Sequence, residues 1–314
     1  MLTRKQEFEL ITAIKGRGEI PLKFQYLGEG SKNWDKIAKY RLKTGGITAI
    51  EFNLLKKKIK LFLDSYKNIK KINVIDLGCG NGIASYPVLE ELQNQKIKFT
   101  YIPIDISKEL LNLAVKNVKA KFKNVECKAF QLDFESGNFS DVIYELKEGG
   151  SVNLLLFLGS TLGNFSDRNR ILTNFRDSMS SDDYLIIGVE LTNLYKINKI
   201  LPYYKGKLTE DFLYFIPEKI GIKRKDTIFD VSWDESKKQI EVRMILKKDF
   251  EVKVGSEKFI LEKGEQILLG TSVKFTEEIL TKLLSTVGFR TELLTTTKDR
   301  GYILSMVQPT RYSV

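Results

Sequence analysis

Histidine is absent from the 314 residues. Imidazole is the commonest general base, the middle member of hydrolytic triads and the commonest metal ligand, so His-centred versions of those three chemistries are excluded. Cysteine is nearly absent too. Cys79 and Cys127 are too few for a disulfide framework or a four-cysteine zinc site, and no metal is expected. No stretch approaches the roughly 18 uncharged apolar residues of a membrane span. The first 20 residues mix Arg4, Lys5, Glu7 and Glu9 with apolar positions and lack the apolar run of a signal peptide. A cytoplasmic protein with no membrane partner is expected.

What is abundant is lysine. Lys plus Arg number 51 against 40 Asp plus Glu, giving a formal charge of +11. The lysines are scattered (56–58, 70 and 71, 223 and 225, 237 and 238, 247 and 248) and interleaved with carboxylates. That pattern describes a solvated surface better than a focused patch, so nucleic acid is not the expected partner. With 42% hydrophobic and 11% aromatic residues, packed cores are affordable at a length that suits two domains of unequal size.

From about residue 50 the elements alternate. The pattern predicts a helix over Ile50 to Tyr66, a strand over Ile72 to Leu77, a helix over Ile83 to Leu92 and a strand over Phe99 to Ile104. A helix over Lys108 to Phe122 and strands over Val125 to Leu132 and Val152 to Leu158 follow, then a helix over Arg168 to Met179 and a strand over Tyr184 to Leu191. The alternation implies right-handed βαβ units and an α/β, doubly wound parallel sheet. Near the end a helix over Ile279 to Val287 precedes strands Arg290 to Thr297 and Tyr302 to Gln308. The short turn between those strands, Lys298 to Gly301, makes them an antiparallel edge hairpin. About 85 residues intervene before that helix, too many for a loop. They include strand-like runs at Phe229 to Trp233, Gln239 to Leu246 and within Glu251 to Leu269. We therefore expect one domain from 51–191 and 276–314, and a smaller α+β domain from 1–50 and 192–275.

The chemistry-bearing motif is Val74-Ile75-Asp76-Leu77-Gly78-Cys79-Gly80-Asn81-Gly82. It ends a strand and opens a helix, the context in which glycines let backbone approach a ligand at a helix N-terminus. The dinucleotide fingerprint is not met, because the third position after Gly80 is Ile83. The D-x-G-x-G-x-G form resembles motif I of class I S-adenosylmethionine (SAM)-dependent methyltransferases, whose Rossmann-like fold also ends in an antiparallel hairpin. The resemblance implies SAM as cofactor on Gly78, Gly80 and Gly82. It also implies Asp105 at the ribose hydroxyls, and Asp133 with Phe134 at the adenine. The prolines are never adjacent, so the Asn/Asp-Pro-Pro-aromatic motif of nucleic-acid amino methyltransferases is missing. Cys79, inside the glycine loop, is no nucleophile of the cytosine-C5 kind.

Phe157-Leu158-Gly159-Ser160-Thr161-Leu162-Gly163-Asn164-Phe165 is very similar to the hallmark of the histidine-specific methyltransferase family. Lys23-Phe24-Gln25-Tyr26, Trp34-Asp35-Lys36-Ile37, Ile240-Glu241-Val242-Arg243-Met244 and Ser272-Val273-Lys274-Phe275 also resemble family segments, so the resemblance covers essentially the whole chain. It implies that Gly159 lines the cofactor and that Asn164 holds the substrate amine, with Tyr26 and Tyr203 at the carboxylate end. Ser272 would face the substrate ring. Three departures stand out. The family's Tyr-Tyr-Pro-Thr-Arg-x-Glu is here Gly45 to Glu51, a Glu two residues before Ser272 is Gly270, and a Lys after the glycine loop is Ala84. The first two remove contacts to imidazole, which argues for a small amine or amino-acid acceptor other than histidine. The expected reaction is in-line displacement at a sulfonium methyl by a neutral amine, in a monomer. Two alternatives stay open: a methyltransferase for RNA or a protein N-terminus, and a SAM-binding protein without activity.

Overall fold

The computed structural model describes all residues except 1, 67, 68, 70, 148–150, 193 and 311–314. In chain order its first elements are α1 (Arg4–Arg17), α2 (Gly30–Lys43), α3 (Ile47–Leu63), β1 (Lys71–Leu77), α4 (Tyr86–Asn94), β2 (Lys98–Asp105) and α5 (Lys108–Lys121). Then come β3 (Glu126–Cys127), β4 (Phe130–Gln131), α6 (Ser140–Leu146), β5 (Val152–Phe157), α7 (Arg168–Ser178) and β6 (Tyr184–Glu190). The inserted stretch holds α8 (Leu194–Lys205), α9 (Lys207–Leu213), α10 (Phe215–Lys219), β7 (Thr227–Asp234), β8 (Gln239–Leu246), β9 (Phe250–Val254), β10 (Glu257–Leu261) and β11 (Gln266–Val273). The chain closes with α11 (Glu277–Thr286), β12 (Phe289–Thr296) and β13 (Tyr302–Pro309). Two compact units result: Met1–Ile37 with Asn193–Lys274, and Ala38–Thr192 with Phe275–Val314.

The larger unit carries a sheet in the order β12-β13-β6-β5-β1-β2-β3, with β4 also on β2. β1 pairs in parallel with β2 and β5, and β5 with β6, whereas β13 runs antiparallel to both β6 and β12. This is the doubly wound sheet with an antiparallel edge hairpin. Its central strands are apolar almost throughout because both faces are covered: Leu154, Leu155, Leu156 and Phe157 are fully buried on β5, and Ile72, Val74 and Ile75 on β1. Burying each such side chain contributes roughly 1.5–3 kcal/mol. The chain leaves β1 toward β2 on one side and reaches β5 on the other. The β1/β5 boundary is therefore the topological switch point, outside whose carboxyl ends α/β sheets bind ligands.

One expected strand, Val125 to Leu132, is instead two short pieces, β3 and β4, both paired with β2. Here the sheet ends. Glu126 and Gln131 are exposed, so only one side of the segment is held and its ladder breaks between the pieces. The helix expected from Ile83 starts at Tyr86, because the glycine loop continues through Ser85.

In the smaller unit, β11-β8-β7 form an antiparallel sheet and β9-β10 a hairpin. Alternate residues of β8 (Ile240, Val242, Met244, Leu246) enter a core with Leu10, Ile14, Phe24, Phe212 and Ile267. The β7–β8 turn is fixed by Asp234, whose Oδ1 accepts the N–H groups of Ser236 and Lys237 at 2.9 and 3.1 Å. β11 carries a bulge between Leu268 and Gly270, and beside it the N–H of Ile20 donates to the Leu268 carbonyl at 2.9 Å.

Candidate active site

Beyond β1 the backbone turns through three glycines in the left-handed region, Gly78 (φ +66°), Gly80 (φ +53°) and Gly82 (φ +74°), a conformation that costs other residues free energy. The need at Gly82 is also steric: a Cβ there would lie 3.0 Å from the Tyr101 hydroxyl and 3.1 Å from Ala114. At Gly78 a Cβ would meet only the ring of Phe134, at 3.8 Å. Backbone and ring together thus leave a shallow cradle at the end of β1.

Two buried acids hold this loop. The Asp105 carboxylate, ending β2, accepts the N–H of Gly80 at 3.1 Å and that of Ser107 at 2.9 Å. Burial pushes its pKa up to about 6 against those two N–H groups. Asp76, inside β1, accepts the hydroxyls of Tyr101 (2.7 Å) and Ser85, and burial likewise raises it to about 6. Past β4, the Oδ1 of Asp133 accepts the N–H of Glu135 at 3.0 Å. The Phe134 ring packs edge-on against Phe157, Phe165 and Phe175, with centroids 6.0, 5.9 and 5.5 Å away. Gly78, Asp105 and Phe134 therefore converge at the carboxyl ends of β1, β2 and β4.

β5 delivers the hallmark loop to the same unit. Gly159 (φ +78°) and Ser160 (φ +58°) are consecutive left-handed residues, and a single 3-10 turn, Thr161–Asn164, follows. Ser160 is no glycine, so its conformation is strained. Its Oγ accepts the N–H of Glu190 at 3.0 Å. Phe165 stacks on Phe157, centroids 6.2 Å apart. Asn164 ends the turn half-buried.

Sequence reasoning gave no role to Glu51, which is 1% exposed. Its carboxylate accepts the N–H of Gly159 at 2.8 and 3.0 Å and the hydroxyl of Tyr302. Burial outweighs these hydrogen bonds and lifts its pKa to about 7. The signal was present in the sequence: Glu51 shares the buried stripe of α3 with Leu55, Ile59 and Phe62, where a carboxylate is costly unless it is used.

Apart from Asn164, the expected acceptor contacts belong to the smaller unit. Tyr26 lies in an aromatic cluster with Trp34 (5.4 Å) and Phe212 (5.1 Å). Ser272 is buried, its Oγ 2.9 Å from the Nζ of buried Lys274, which also donates to the Tyr204 hydroxyl at 3.1 Å. Tyr203, the tyrosine singled out from sequence, is 41% exposed and stands outside that hydrogen-bonded set. A Cβ at Gly270 would touch Leu22 at 3.6 Å and Leu213 at 3.8 Å, so that spot is apolar. Among the described residues no acidic or sulfur cluster could hold a metal ion, and no helix is long and apolar enough to cross a membrane.

The 4-dimethylallyltryptophan N-methyltransferase ifgB of Penicillium roqueforti is 25% identical over 86% of this chain and 83% of its own. The histidine N-alpha-methyltransferase of Mycolicibacterium smegmatis is 21% identical over 69% of each chain. A crystal structure of a SAM-dependent methyltransferase from Clostridium acetobutylicum shares the fold, with a TM-score of 0.52 and 13% identity over 88% of this chain and 99% of that one. The profile of the histidine-specific, SAM-dependent methyltransferases matches residues 6–309, and the chain belongs to that family.

Proposed function

We propose that this SAM-dependent methyltransferase methylates the amino group of a small amino-acid-like acceptor other than histidine. The observation that carries the acceptor's identity is Gly270. The position has apolar neighbours, Leu22 and Leu213, and an imidazole nitrogen buried beside them without a partner would cost about 1–3 kcal/mol. An apolar or aromatic side chain suits it better, in keeping with the tryptophan-derived substrate in the name of the Penicillium relative.

The larger unit fits SAM: three left-handed glycines expose backbone, Asp105 offers a carboxylate, and the Phe134 ring closes the cradle. When bound, SAM supplies a methyl already activated as a sulfonium. Asp105 keeps lone pairs for the ribose hydroxyls beyond those taken by Gly80 and Ser107, while Asp133 and Phe134 take the adenine. Asn164 would accept an N–H of the acceptor and hold its amine with the lone pair free for the incoming methyl. Tyr26, Ser272 and a tyrosine of α8 hold the remainder of the acceptor; of the two candidates there, Tyr203 from the sequence and its neighbour, Tyr204 is the one joined with Ser272 through Lys274. Placement and desolvation account for the acceleration, and desolvation also keeps the amine neutral.

The test is incubation with SAM and a panel of amino acids that includes histidine, tryptophan, tyrosine and prenylated tryptophan, followed by mass spectrometry. Gains of one to three methyl groups on an aromatic amino acid are expected, with histidine poor. Asn164→Ala should abolish transfer yet leave S-adenosylhomocysteine (SAH) binding nearly intact. Equal loss of both would refute the role of Asn164, and methylation of histidine as the best acceptor would refute the specificity.

A further inference from the structure

The Gly159–Ser160 turn is left-handed at two consecutive residues and strained at Ser160, and its first N–H points at a side chain from a distant helix. Glu51 on α3 receives that N–H on both carboxylate oxygens, at 2.8 and 3.0 Å, and the Tyr302 hydroxyl of β13 donates to the same group. The opposing strand has made room for the pair. Gly188 on β6 has no Cβ, and one built there would overlap both the Glu51 Oε2 and the Tyr302 hydroxyl. Three elements far apart in sequence thus meet at the carboxylate that holds one peptide N–H, five residues before Asn164.

We propose that Glu51 is a positioning residue for methyl transfer, whose buried carboxylate fixes the peptide at Gly159 and thereby sets where Asn164 stands. This rests on the role of Asn164 given above. A carboxylate merely neutralised in a core would be satisfied by Tyr302 alone; this one spends both oxygens on the N–H that starts the turn. The Ser160 Oγ, tied to the Glu190 N–H at 3.0 Å, is the second anchor. Two anchors hold a conformation that the chain would otherwise leave.

Glu51→Leu keeps the shape and removes the acceptor. Glu51→Gln keeps a carbonyl oxygen that can serve both donors. Gly188→Ala keeps the glutamate but pushes its carboxylate aside. Amide exchange read by mass spectrometry over residues 158–165 should quicken at least tenfold in Glu51→Leu and Gly188→Ala, while β5 and β6 keep their protection. Glu51→Gln should stay within threefold of wild type. Turnover of SAM to SAH with the amino-acid panel should fall at least 100-fold in Glu51→Leu and less than tenfold in Glu51→Gln, with SAH affinity changed less than tenfold in both. Unchanged exchange over 158–165, or exchange quickened equally through β5 and β6, would overturn the proposal. If no panel member is methylated by the wild type, the acceptor assignment fails, and the exchange and SAH measurements still decide the role of Glu51. Should Glu51→Leu not fold, Gly188→Ala decides it by the same criterion.

Discussion

The Asp105 carboxylate accepts the Gly80 N–H at 3.1 Å, so the acid at the end of β2 braces the glycine loop before any ligand is considered. One side chain then sets both the shape of the glycine loop and the charge beside it. On the proposed binding mode, only the ionised carboxylate could accept from Gly80 and Ser107 and from two ribose hydroxyls together. Burial raises Asp105 to about 6, so SAH affinity measured by calorimetry should rise as pH increases through 6 and level off above 7. Asp105→Asn should flatten that profile and weaken binding by roughly 10- to 100-fold, since hydrogen bonds to a charged group contribute about 1.5–3 kcal/mol. An unchanged profile in the variant would assign the titration elsewhere.

Glycine at 82 is required twice, by φ of +74° and by the 3.0 to 3.1 Å approach of Tyr101 and Ala114. Gly82→Ala should lower stability by about 1–3 kcal/mol through left-handed strain and overpacking and weaken SAH binding by at least tenfold. Thermal melts and calorimetry check both. A variant with wild-type melting and binding would mean that the loop relaxes freely.

Three buried carboxylates share one pH signature. Glu51 moves from an ordinary 4.5 to about 7, and Asp76 and Asp105 from 3.8 to about 6, each chiefly through burial. The folded state therefore binds these protons more tightly than the unfolded chain. The stability they contribute is full below about pH 4 and is lost as pH rises through 6 to 7. Without cofactor, Tm should fall between pH 5 and 7.5. Glu51→Gln should flatten the upper part of that slope, by up to about 3 kcal/mol at roughly 1.4 kcal/mol per tenfold change in proton affinity. A Tm that climbs over this window would contradict the assignment.

Period and punctuation carried the sheet. Apolar runs on β1, β5 and β6, helical spacing on α5 and α7, and the Lys298 to Gly301 turn between β12 and β13 are local signals, and each shows where the structure puts it. Helices α8 to α10 were not anticipated, because Pro202 and Pro217 interrupt α8 and α10 and tertiary packing, of α8 on β7 and of α9 and α10 on each other and on Leu22–Tyr26, decides them. The glycine loop and Asp105 were legible because their chemistry is written in adjacent residues. Glu51 was legible only as an acid on the apolar stripe of α3; its meeting with Tyr302 and Gly188 was not, since the three come together only when α3, β6 and β13 do.

Tyr203 and Tyr204 point to a choice that sequence spacing alone leaves a residue out of step. Tyr204 shares a hydrogen-bonded set with Lys274 and Ser272, while Tyr203 is 41% exposed. Tyr204→Phe should raise the acceptor KM about tenfold with SAH affinity unchanged, and Tyr203→Phe should change it less than threefold. The reverse ranking would place the contact at Tyr203.

Gln25 is a polar side chain of the smaller unit with both ends of its amide paired. It is fully buried; its Nε2 donates to the Leu213 carbonyl at 2.9 Å and its Oε1 accepts the Ile216 N–H at 3.0 Å. The amide thus bridges the ends of α9 and α10 and fixes the turn that carries Tyr26. Gln25→Leu keeps the volume but orphans one buried N–H and one buried carbonyl, at about 1–3 kcal/mol each. Tm should drop by about 4–24 °C, given roughly 2–4 °C per kcal/mol at the upper end of domain sizes. Gln25→Glu should be worse at neutral pH, because a carboxylate would face the Leu213 carbonyl with no proton to offer it. As Tyr26 packs on Trp34 and Phe212 beside this bridge, both variants should raise acceptor KM, while SAH affinity, set in the other unit, stays within threefold. A loss of SAH affinity as large as the rise in KM would show that the bridge serves the whole chain and not the acceptor contacts.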